Sequence, residues 1–228
     1  KDLEAYKIWQ SLGVKDDHIF YYPGKKNWWS RAGTPDQMPV GEIGGPTSEV
    51  FFEFTDIAHD PKYGDKCHPN CDCGRFMEIG NSVFMAYVKT EKGLEPLPAQ
   101  NVDFGGGLER LVAAVNNDPD IFKIDMFSSL IVAIEKSSGK KYEGVYMSPM
   151  RVVADHLRAA AFMIAQGTEP SNKLQGYILR RLLRRAAVRV RLLGADAKLI
   201  FKECIPAVVK EYAEAGFIDA ASLDHVQT

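Results

Sequence analysis

The sequence contains no run of about 18 apolar residues, so no segment reads as a membrane-spanning helix. Neither Gly-x-Ser-x-Gly nor Gly-x4-Gly-Lys-Ser/Thr occurs, which sets aside the serine-hydrolase elbow and the Walker-type phosphate loop. Internal repeats and low-complexity tracts are absent as well. Charge of one sign is not in excess: 28 Lys and Arg against 30 Asp and Glu leave a formal charge of −2. The total therefore implies no general affinity for polyanions, and only the distribution of charge can. Cysteine is scarce, with four in the chain. Three of them crowd into "CHPNCDC" (Cys67, Cys71, Cys73), and Cys204 stands apart. The chain opens on "KDLEAYKIWQ", without Met and without the apolar core of a signal peptide, and reads as a piece excised from a longer protein. Clustered cysteines with no secretory segment point to a reducing, intracellular setting and to metal binding over disulfides.

The 228 residues, 46% of them hydrophobic, suffice for one large or two modest globular domains. Residues 1–15 carry Leu3, Tyr6, Ile8, Trp9 and Leu12 at helical spacing. A short strand is expected at Ile19–Tyr22, then a glycine- and proline-punctuated loop over Lys25–Thr47, a strand at Glu49–Phe54 and an irregular insertion. Arg75–Lys89 reads as one or two strands interrupted near Gly80, "TEKG" as a turn and "EPLPAQN" as a polar loop. From about residue 120 the period is helical. One helix is expected to start with Ser148 as N-cap and Pro149 at its first position, and to stop near Gly167. A second is closed by Gly194, and a last one is broken at Pro206. The fold class is α+β: a strand-rich domain over residues 1–122 and an all-helical domain over 123–228.

Four stretches carry chemistry. In "NVDFGGGLER" (Asn101–Arg110) a strand meets three glycines and a helix. That pattern lets a flat or phosphorylated ligand approach the backbone. Asp103 before the glycines can hold an ammonium group, and the planar guanidinium of Arg110 can stack on an aromatic ring. A plain flexible turn, with Glu109 and Arg110 as solvated charges, explains the same residues. Second, no acid occurs between Glu169 and Asp196, whereas Lys173, Arg180, Arg181, Arg184, Arg185, Arg189 and Arg191 do. Without i,i+4 acidic partners these arginines suit phosphate better than a self-paired surface. Asn172, in the turn before them, can read base edges or simply cap the turn. Third, Cys67, Cys71, Cys73 and His68, with His59 nearby, can supply four ligands to a structural zinc ion. Fourth, Asn27, Trp28 and Trp29 precede a glycine-rich loop and can wall a small pocket or fill a core.

The succession "EAYKIW", "NWW", "GGPTSEVFFEF", "RFMEIGNSVFMAYVK", "LEPLPAQNVDFGGGLERL" and "RVVADHLRAAAFMIAQGTEPSNKLQGYILRRLLRRA" resembles the alanyl-tRNA synthetases over almost the whole chain. "GGGLER" looks like motif 3 of the class II enzymes. The resemblance implies the C-terminal part of an antiparallel catalytic sheet followed by a helical tRNA-recognition domain, in the cytoplasm. It implies alanine, ATP with Mg2+ and the acceptor stem of tRNA(Ala) as partners. Arg110, Gly105, Gly107 and Glu109 would then attend ATP, and Asp103, Trp29 and Asn81 the amino acid. Asn172, Lys173, Arg180, Arg181, Arg184, Arg185 and Arg189 would meet the stem. The chain departs from the family at Phe104 and Gly106, where Thr and Met are usual, and in the loop after Trp29, which lacks the usual paired cysteines. Motifs 1 and 2 and the editing domain do not match any stretch. The expectation is therefore a fragment inactive by itself that needs the N-terminal part of the catalytic domain. The alternative is an RNA-binding module derived from a synthetase, without ligase chemistry.

Overall fold

The structure, a computed structural model, describes residues 1–214 and 216–218. The chain forms two compact units, Lys1–Pro119 and a second beginning at Asp120. The first unit orders α1 (Leu3–Ser11), α2 (Gly24–Asn27), β1 (Trp28–Trp29), β2 (Ile43–Glu53), β3 (Phe76–Thr90), β4 (Gly93–Gly106) and α3 (Leu108–Val115). The strands form one antiparallel sheet in the order β1-β2-β3-β4.

This sheet is longer than the sequence pattern suggests. "GGP" (Gly44–Pro46), expected in a loop, lies inside β2. The reason is steric: a Cβ added at Gly45 would sit 1.6 Å from the Phe84 carbonyl oxygen, and one at Gly44 would sit 2.7 Å from that of Trp29. The glycines here permit close strand contact instead of breaking the strand. "EPLPAQN", also expected as a loop, belongs to β4. Its register jumps from Tyr87↔Pro96 to Met85↔Asn101, so the prolines fall at a bulge on an edge strand, where their missing N–H is tolerated. β3 is one continuous strand through Gly80. The strand expected at Ile19–Tyr22 does not form, and those residues are irregular. Leu3 and Ile8 on α1, and Leu12 at its C-cap, are exposed; Tyr6 and Trp9 are half-buried, and Trp9 Nε1 donates to Ser48 Oγ at 2.8 Å.

The second unit carries α4 (Asp125–Ser138), α5 (Met147–Ala165), α6 (Leu174–Leu192) and α7 (Ala197–Glu214). Phe127, Leu130, Ile134, Met150, Leu157, Leu179, Val190 and Ile200 form its core, each essentially inaccessible to solvent. Two expected helix boundaries shift. α5 starts at Met147 directly after a 3-10 turn, with Tyr146 at the N-cap and no side-chain cap, so Pro149 is its third residue. Its missing N–H still costs nothing there, because the first four N–H groups of a helix have no internal partner. Pro206 does not break α7, which runs through it. Lys202, whose carbonyl loses its bonding partner, is exposed and can be hydrated.

Candidate functional site

The face of the sheet that carries Asn81 is set by a bulge. Val50 pairs with Gly80 but Phe51 pairs with Glu78, so Ile79 is the extra residue on β3. The bulge reverses the alternation, and Glu78 joins Asn81 on the side of Glu49. Asn81 Nδ2 donates to Glu49 Oε1 at 3.3 Å and to Glu78 Oε1 at 3.5 Å. Its Oδ1 is buried without a partner among the described residues. Such an acceptor calls for a donor. Opposite Asn81 stands Gly105, where an added Cβ would meet nothing within 4 Å. Asp103, two residues along β4 on the same side, is the diagonal neighbour of Asn81 and is exposed. Burial, reinforced by the nearby Glu78 carboxylate, raises the Glu49 carboxyl above the ordinary glutamate range.

The glycines between strand and helix divide their tasks. Gly105 and Gly106 are the last residues of β4, and Gly107 is the N-cap of α3. None of the three has a left-handed backbone. The ring of Phe104 lies over Gly80 and Gly106, at 3.1 Å and 3.3 Å from the positions of their absent Cβ atoms. Arg110, in the first turn of α3, donates from Nη1 to the Glu78 carbonyl at 3.0 Å and lies 3.6 Å from its carboxylate. Half of its side chain stays open to solvent. Asn81, Asp103, Gly105 and Arg110 thus share one neighbourhood. Trp29, on β1, pairs with Gly45 two strands away from Asn81. A cavity of about 910 Å³ in this unit is lined by Trp9, Tyr22, Thr47, Glu49, Phe51 and Asn70, among others. Glu49 links it to Asn81.

In the second unit the arginines form one stripe. Tyr177, Arg180, Arg181, Arg184, Arg185, Val188 and Arg189 line a shallow groove of about 440 Å³ along α6. Leu179, Ala186 and Val190 are buried on the opposite side, and Ile178 is exposed. Among the described residues no carboxylate lies within ion-pair distance of Arg181, Arg184, Arg185 or Arg189. The turn before α6 folds back on the helix. Ser171 N donates to Gly176 O at 3.0 Å, and a Cβ at Gly176 would strike the Ser171 side chain and the Glu169 carbonyl. Leu174 takes a left-handed backbone to close it, at φ 46°. Asn172 Oδ1 accepts from Arg180 Nη1, which fixes the carboxamide at the head of the stripe. Lys173, also exposed, is the N-cap of α6.

The three clustered thiols do meet, but with a different histidine. His59, Cys67, Cys71 and Cys73 place their ligand atoms within 4.8 Å of one another. His68, the expected fourth ligand, turns away, with Nδ1 2.9 Å from the Tyr22 hydroxyl. The His59 side chain pulls the Cys73 thiol down to about 6, whereas burial pushes the Cys67 thiol up to about 11. Sequence reasoning missed Glu49 and Glu78 as site residues, and it named His59 only as a neighbour of the cysteines while assigning His68 as the ligand. The bulge that recruits Glu78 leaves no sequence mark, and only the proximity of His59 to the cysteines hints at its part.

A family model described as tRNA synthetases class II (A) matches residues 1–227. The chain belongs to the class II tRNA synthetases. Curated relatives of this synthetase chain are alanine–tRNA ligases. That of Treponema denticola is 39% identical over 224 residues, covering 95% of this chain and 35% of that protein. That of Anaeromyxobacter sp. is 39% identical over 223 residues, covering 94% and 24%. The ligase of Petrotoga mobilis is 38% identical over 219 residues, covering 92% and 24%. The synthetase chain therefore spans only 24–35% of the length of these relatives.

Proposed function

We propose that the chain forms the motif 3 side of an alanine-activating site together with helices that bind the acceptor stem of tRNA(Ala). The observation that carries the first half is the unpartnered Asn81 Oδ1 beside the open space at Gly105 and diagonal to Asp103. An acceptor and a carboxylate on diagonal positions of neighbouring strands suit the ammonium group of an amino acid. The ATP part of the reading rests on Gly105 and Gly107 as backbone that a nucleotide can approach, and on Arg110 at the start of α3. Its guanidinium is anchored at one nitrogen by Glu78 and keeps an open face for a purine. Glu109 lies in the same helical turn. ATP enters with Mg2+ as its substrate complex.

In this reading the amino-acid carboxylate attacks the α-phosphorus of ATP in line, and pyrophosphate leaves. The residues of this chain hold the amino group and the base; they transfer no proton. Their contribution is positioning and charge placement. The remaining part of a catalytic domain is a required partner. The exposed apolar residues Val50, Val102 and Phe104 on the sheet support this, because they leave a surface for further chain to cover. The arginine stripe of α6, with Asn172 at its head, takes the stem phosphates and its base edges.

Alanine-dependent pyrophosphate exchange tests the reading in the complete gene product that carries these residues. Exchange is expected with the native residues. It is expected to fall by at least about 100-fold in Asp103→Asn, for which loss of a charged hydrogen-bond partner is the cause. Unchanged exchange in that variant rejects the assignment. The α6 stripe is complete within this chain, and that favours a second reading, an RNA-binding module without ligase chemistry. Stem binding with no exchange in the complete gene product selects it.

A further inference from the structure

We propose that His59, Cys67, Cys71 and Cys73 bind one zinc ion that staples the insertion between β2 and β3. The four residues come from an irregular segment whose one regular turn is Pro61–Tyr63. Its base is closed by Phe54 N to Arg75 O at 2.8 Å and by Arg75, which donates to Glu53 Oε1 at 2.7 Å and to Ile57 O at 3.0 Å. Beyond that base a loop of this length needs an internal tie to hold one conformation. The three thiols and the imidazole already lie within 4.8 Å of one another, close enough to share one ion. Cys67 Sγ lies 3.5 Å from Cys73 Sγ, and Cys71 Sγ lies 3.7 Å from His59 Nδ1. Zinc with bonds of about 2.3 Å to sulfur and about 2.0 Å to nitrogen requires sulfur–sulfur and sulfur–nitrogen edges of about 3.8 and about 3.5 Å.

The far side of the imidazole is prepared as well. His59 Nε2 is 2.7 Å from the Gly64 carbonyl, which can only accept. The proton therefore sits on Nε2, and the Nδ1 lone pair faces the thiols. A backbone carbonyl behind a ligating histidine is the usual means of fixing ring and tautomer. On binding, the three thiols release their protons to solvent. Four protein ligands fill a tetrahedral shell and leave no position for substrate, so the ion is structural. A sulfur-rich tetrahedral set selects zinc over Mg2+ or Ca2+.

The staple acts on the cavity. Cys67, Pro69 and Asn70 form part of its wall, and Tyr22, on the opposite stretch of lining, contacts both His68 and the Asn70 amide. Holding the insertion holds that wall.

The test is metal analysis of the full chain, made with zinc present and dialysed against metal-free buffer. About one zinc per chain is expected, and replacement by cobalt(II) should give the intense charge-transfer and ligand-field bands of a tetrahedral thiolate site. His59→Ala should weaken zinc binding by about 100-fold, and His68→Ala should leave it unchanged. Chelation should speed proteolytic cleavage within residues 57–75. Zinc far below one per chain overturns the proposal, as does a disulfide among Cys67, Cys71 and Cys73 in place of metal, or an equal loss in the two histidine variants. The cobalt spectrum of the unsubstituted chain decides the matter should a variant fail to fold: an octahedral, thiolate-free spectrum also overturns it.

Discussion

The ring of Phe104 covers Gly80 on the neighbouring strand, 3.1 Å from where a Cβ would stand. An aromatic over a cross-strand glycine supplies the side-chain packing that glycine lacks. Phe104→Ala should therefore destabilise the first unit by about 0.5–1 kcal/mol, although the residue is 66% exposed. Urea unfolding measures it. Gly45→Ala provides the contrast. Its Cβ would overlap the Phe84 carbonyl, backbone that cannot swing aside, and the expected cost is about 3 kcal/mol or more.

Gly105 separates structure from function. Nothing lies within 4 Å of a Cβ there, and its backbone is not left-handed. Gly105→Ala should leave stability unchanged or raise it by about 0.5–1 kcal/mol, since glycine weakens a strand interior. In the complete gene product the same change should raise the KM for ATP roughly tenfold, about 1.4 kcal/mol. A KM unaltered in a stable variant would mean that no nucleotide approaches this backbone.

Glu49 predicts a pH dependence. Burial and Glu78 raise its carboxyl in the folded protein. The folded state then holds the proton more tightly than the unfolded one. Ionised Glu49 is a net cost above the raised folded value, and that cost vanishes below the unfolded value near about pH 4.3. Glu49→Gln keeps an acceptor for Asn81 and removes the charge. The variant should be more stable than the native protein at about pH 7 and lose that advantage by about pH 4. Denaturation curves at the two pH values check the sign.

Arg181 and Arg185 are solvent-exposed on the α6 groove. Replacing both by Ala should change stability by no more than about 0.5 kcal/mol. If they neutralise stem phosphates, the slope of log affinity against log salt should fall in magnitude by about 1.5. Asn172→Ala should instead lower discrimination among base pairs and leave that slope unaltered. An unchanged slope in the double variant would assign the stripe to something other than phosphate.

Much of the chain is legible without coordinates because its determinants are local. The 3.6-residue period places α5 and α6 and gathers the arginines of α6 on one side, and the acid-free stretch from 170 to 195 denies that stripe an i,i+4 partner on its own helix. The glycines before Leu108 mark where β4 ends and α3 begins, and three cysteines within seven residues must be neighbours. Tertiary structure decided the rest, because it depends on pairing between distant segments. Register between β2 and β3 makes Ile79 a bulge and delivers Glu78 to Asn81. Strand contact at Phe84 turns Gly44 and Gly45 from a loop into sheet. Closure of the insertion selects His59 over His68, the histidine nearer in sequence. Phe104, a bulky residue among glycines, acquires its reason only when Gly80 of another strand is brought beneath it.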